Sequence, residues 1–131
     1  MKNLIPERFA ILGLITLLSI FLTFHILVML GIIPFEIVWG GRLKNKTEMI
    51  KFEIVSVLIN LTMLSVVLIR ASFIKLPINN TLIKIILWIM FGLFLLNTLG
   101  NLFSLNEFER NVFTPITLVL SLFSLRLAIS K

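Results

Sequence analysis

Long runs of Leu, Ile, Phe and Val dominate the chain, and short polar segments separate them. A helix needs ~20 apolar residues to cross a hydrocarbon core of ~30 Å, and each of four runs is long enough. Helices are expected over about 9–33, 48–69, 82–103 and 112–129. Pro34 closes the first run, Thr47 offers an N-cap for the second, and Arg70 ends it. Connections of this length make consecutive helices antiparallel. The expected fold class is therefore all-α, a polytopic four-transmembrane-helix antiparallel bundle forming one domain over 1–131.

Polar residues inside the runs carry the functional information. Glu53, Ser56 and Asn60 are spaced i, i+3, i+7, which gathers them within about 60° on one helical face. His25 lies late in the first run, on roughly the opposite face from Thr16, Ser19 and Thr23. Asn97 and Asn101 stack at i, i+4 near the end of the third, and Thr114, Thr117, Ser121 and Ser124 form a stripe on the fourth. Because the helices alternate in direction, His25, Glu53, Asn60, Asn97, Asn101, Thr114 and Thr117 all fall in one half of the membrane. The other half is nearly pure hydrocarbon, a pattern that predicts a polar pocket plugged from below and opening toward the 34–46 and 104–111 connections.

Each polar group has a bland reading beside the functional one. An ionisable side chain within a span costs on the order of 2.5–3.5 kcal/mol at the helix centre and marks a site by default. Glu53 sits nearer a boundary, and it serves either a ligand or Asn97 and Asn101 as interhelical glue. His25 is either a packed histidine or a neighbour that holds Glu53 charged, a part Arg42 also fits. Glu36, Trp39 and Arg42 lie in a segment with the character of an interface anchor, with Gly40 and Gly41 allowing a turn and Arg42 placed for a lipid headgroup.

Composition narrows the alternatives. The chain is 59% hydrophobic and 14% charged, against roughly 25% charged in soluble domains. The apolar runs use most of the 131 residues, so no added soluble domain is expected. With no Cys, a single His and no Asp, thiolate chemistry is excluded and neither a metal site nor a cofactor is expected. The net charge of +6 is spread around the ends of apolar runs without an aromatic-interleaved patch, so nucleic acid is not an expected partner and membrane lipids are. A first run of about 25 residues exceeds the ~7–15 of a signal-peptide core, so it is expected to remain as a span. Seven Lys and Arg on the side of the termini against five on the other give a positive-inside bias. That bias predicts a multi-pass protein of the plasma or inner membrane with both termini cytoplasmic. The Ile, Lys, Asn and Phe bias points to a low-GC bacterium.

The segments I-P-F-E-I-V-W-G-G-R-L, K-F-E-I-V-S-x-x-I-N and L-N-T-x-G-N-L-F together resemble small four-helix bacterial integral membrane proteins, a likeness that implies architecture and brings no activity. His25 in F-H-I-L, Glu36 after the first span and Glu53 in F-E-I-V-S are also faintly similar to the EXPERA family of sterol isomerases and sigma-type receptors. That resemblance implies an acid-lined intramembrane pocket, with Glu53 binding an amine or stabilising a carbocation and His25 shuttling a proton. The leading expectation is a non-enzymatic bundle whose pocket binds a small amphipathic or cationic ligand, a lipid headgroup or a partner helix. An isomerase and a transporter subunit working as a homo-oligomer are the alternatives.

Overall fold

The computed structural model describes residues 3–37 and 43–130. It is all-helical, with α1 over Glu7–Met29, α2 over Lys46–Arg70, α3 over Asn80–Leu102 and α4 over Thr114–Ala128. A 3-10 turn, Phe35–Ile37, follows α1, and a π-helical turn, Glu109–Phe113, leads into α4. At 1.5 Å per residue the 23 residues of α1 span about 34 Å, enough to cross a bilayer. All four helices, the last counted from Glu109, have the length and apolarity of membrane spans, so the chain is a four-helix membrane protein.

Several helix ends differ from the sequence expectation, each for a local reason. The first helix stops at Met29, four residues short of Ile33, because Gly31 takes φ +82. Ile32 N–H then donates to Leu27 O and Gly31 N–H to Val28 O, the paired hydrogen bonds of a Schellman stop. At the start of α2 the N-cap is Asn45, not Thr47: its Oδ1 accepts from Glu48 N–H at 2.8 Å. Asn79 caps α3 in the same way, through Thr81 N–H at 2.8 Å.

The fourth span begins earlier than 112. Asn106 Oδ1 accepts from Glu109 N–H at 3.1 Å, and the chain is helical from Glu107. Pro115 then lies at the start of α4 with no N–H to offer Asn111 O. The backbone widens into the π turn just before it.

Helix α1 packs along both α2 and α4, and α4 packs along α3, whereas α2 and α3 meet only sparingly. The bundle is thus an arc with a seam between α2 and α3. Its main apolar core is built from Ala10, Leu14 and Leu18 of α1, Met63, Val66 and Val67 of α2, Ile83, Leu87, Met90 and Phe94 of α3, and Leu120, Phe123 and Leu127 of α4. At Gly13 a Cβ would run into the Phe123 ring, so this glycine sets the approach of α1 to α4. Phe9 meets the same ring edge-on at 5.5 Å.

Polar contacts tie the ends of that core. Glu7 pairs with Arg70 at 2.5 Å. The buried Arg126 donates through Nε to Ile5 O at 2.6 Å and bonds to Ser130 Oγ. Thr16, Ser19 and Thr23 are exposed along the outer face of α1, with the Thr23 hydroxyl turned back onto Ser19 O.

Candidate functional site

At the other end of the bundle the helices surround a cavity of about 260 Å³. Among the described residues it is walled by Phe21, Phe24 and His25 of α1, Ser56, Ile59, Asn60 and Met63 of α2, Leu93, Phe94, Asn97 and Asn101 of α3, and Glu109, Phe113 and Thr117 of the fourth span. It is larger than the roughly 150 Å³ that accepts a benzene ring and smaller than the ~300–1,000 Å³ of drug-sized pockets.

Its polar wall is anchored on α1 and α2. His25 Nδ1 lies 2.6 Å from Glu53 Oε2. Glu53 is fully buried and the imidazole about one-fifth exposed. Where the carboxylate accepts, Nδ1 is the donor of the pair. One helical turn beyond Glu53 toward the membrane middle comes Ser56, and one more brings Asn60. Asn60 is 8% exposed, and its Oδ1 is buried with no hydrogen-bond partner. A buried amide oxygen without a partner costs roughly 1–3 kcal/mol.

The facing wall is locked instead of open. Asn101 Nδ2 donates to Thr117 Oγ1 at 3.4 Å, and the Thr98 hydroxyl lies 3.0 Å from the same oxygen. Ser121 Oγ donates to Phe91 O at 3.4 Å. The polar stripe of the fourth span is therefore chiefly the face that closes on α3. Phe113 stacks edge-on to Phe21 at 5.7 Å and Phe24 at 5.1 Å, giving the cavity an aromatic corner.

A second acid that sequence reasoning left in a loop belongs to this wall. Glu109 is 6% exposed, lines the cavity and accepts from Ser104 Oγ at 2.9 Å. The signal was present: Asn106-x-x-Glu109 has the spacing of an N-cap and its N3 acid. Four-residue steps from Glu109 through Phe113 to Thr117 continue the stripe inward.

The site residues expected from the sequence divide into three groups. His25, Asn60, Asn97 and Asn101 share the cavity, and Glu53 stands behind His25. Glu53 is joined at that contact to His25, one of the neighbours that the sequence reading set out beside Arg42, Asn97 and Asn101. Glu36 is exposed outside the cavity, its carbonyl accepting from Asn106 Nδ2 at 3.4 Å. Trp39 and Arg42, with Gly40 and Gly41, lie outside the described residues.

The opening expected toward the 34–46 connection falls partly on residues 38–42, outside the described residues. Toward the 34–46 connection the described residues end in an apolar cluster of Val28, Leu43 and Met49 with Phe35 and Phe113 packed on it. Exposed cavity-lining residues instead flank the α2–α3 seam: Ile59 is 46% and Leu93 39% exposed, and Asn97 is exposed beside them. No three His, Asp or Glu side chains among the described residues group closely enough to hold a metal ion. Comparison with protein-family models, curated proteins and solved structures returns no match to the chain.

Proposed function

We propose that this protein is a membrane-embedded binding bundle whose cavity takes a small amphipathic cation. The observation that carries the reading is Asn60: a buried acceptor without a partner, beside a cavity whose described lining has carboxylate, amide and imidazole groups. An ammonium group supplies the missing donor once the Asn60 amide turns its packed-away oxygen toward the cavity, and the faces of Phe21, Phe24, Phe94 and Phe113 suit its positive charge. The His25–Glu53 contact holds the imidazole in a fixed place on the cavity wall. We place the protein in a bacterial plasma membrane with both termini cytoplasmic, on the charge bias of its ends.

Native mass spectrometry of the gently solubilised protein tests this, run beside its Glu53→Gln variant. A small basic molecule that co-purifies with the wild type and is lost in the variant supports the reading. Two equally folded, equally empty proteins would refute it.

A second reading, proton-transfer catalysis of the EXPERA type, gains one supporting observation. Glu109 adds a second buried acid to a cavity that already holds His25 against Glu53. Turnover of an added sterol, absent in His25→Ala, separates catalysis from binding.

A further inference from the structure

The cavity has an unusual flank. Helices α2 and α3 approach each other far less closely than do α1 and α2, α3 and α4, or α1 and α4. At that seam stand Ile59 and Leu93, each the fourteenth residue of its helix, so the gap lies near the middle of the bilayer. Asn97 stands one turn further along α3, exposed at the same seam. A polar side chain facing hydrocarbon is costly and is ordinarily turned into a bundle. Immediately inside Ile59 comes Asn60 with its unpartnered oxygen.

We infer that the seam is a lateral portal, and that the ligand is a single-chain amine of the bilayer. Its ammonium head lies inside the cavity, where the Asn60 amide turns to meet it, and its tail leaves between Ile59 and Leu93 among the lipid chains. This rests on the reading of the cavity as a cation site. The 260 Å³ of space is too small to enclose a long-chain amphiphile, and the gap removes the need to enclose it. Asn97 gives the entering head a polar foothold at the mouth, so it is not stripped of all partners before reaching Asn60. An exit into lipid sets the chain-length rule: a methylene buried from water is worth about fourfold in affinity, but one moved from lipid into a lipid-facing seam gains almost nothing.

The test is a series of n-alkylamines from butylamine to hexadecylamine, bound to the wild-type protein in nanodiscs, with affinities referred to amine concentration in the bilayer. The portal predicts a level series, within about threefold from octylamine upward. Leu93→Trp, and independently Ile59→Trp, should lower the ratio of dodecylamine to butylamine affinity at least tenfold by narrowing the mouth. Two substitutions on separate, lipid-exposed positions guard against one that fails to fold. If butylamine binds while the longer amines are excluded from the wild type, the cavity is closed and the portal is wrong, with the cation site intact. If no amine of any length binds, the cation site and the portal fall together.

Discussion

Around Ala10, Leu14, Val67, Leu87 and Leu127 the bundle is filled with aliphatic side chains at close to zero exposure. Between His25, Asn60, Asn101 and Glu109 the same four spans enclose 260 Å³ of space and leave a buried oxygen unpartnered. Lipid is as apolar as leucine, so helices in a bilayer gain little from hiding leucines from it and associate through close packing and interhelical hydrogen bonds. The first half meets that demand fully. The second half meets it only in part: Thr98 and Asn101 bond across to Thr117, but a void and an unpartnered oxygen remain, and that contrast makes it the candidate site.

The largest effect expected from breaking this contrast is on the packed side. Gly13→Leu drives a side chain into Phe123 and should cost about 3 kcal/mol, at the upper end of overpacking effects. Unfolding monitored in detergent checks this; an unchanged midpoint would mean that α1 and α4 are free to separate there. On the polar side Glu53→Gln keeps the shape and a neutral hydrogen bond to His25, so about 1 kcal/mol of stability is at stake. Its effect on alkylamine binding should exceed tenfold. Equal losses of stability and binding would reduce Glu53 to a structural part. The smallest change is Thr117→Val, which removes the acceptor shared by Asn101 and Thr98. Polar contacts between membrane helices average about 0.6 kcal/mol, and thermal unfolding should show a loss of that size with binding retained.

The architecture was legible in the sequence because run length alone identifies a span. The depth argument was legible too: alternating helix direction brings His25, Asn60, Asn97 and Asn101 around one cavity. What periodicity did not reveal is lateral arrangement. Nothing in the spacing of Glu53 tells whether its face meets α1 or α3, and the packing of α1 on α2 decided for His25. Glu109 escaped because a charged run, Glu107-Phe108-Glu109-Arg110, reads as a loop. The Asn106 cap and the π turn before Pro115 wind it into the wall. The seam was likewise hidden, since a missing contact leaves no mark on either helix.

The most direct test of the contrast is Asn60→Leu, measured side by side for thermal unfolding and for butylamine binding in nanodiscs. The substitution removes the unpartnered oxygen and fills space next to Met63 and Phe94. A protein that keeps Asn60 for a ligand should become more stable without it, by about 1 kcal/mol, since removing an unsatisfied buried group is favourable. Its amine binding should fall at least tenfold. A lower unfolding temperature with binding unchanged would contradict the account, making Asn60 a structural residue and the polar half of the bundle ordinary packing.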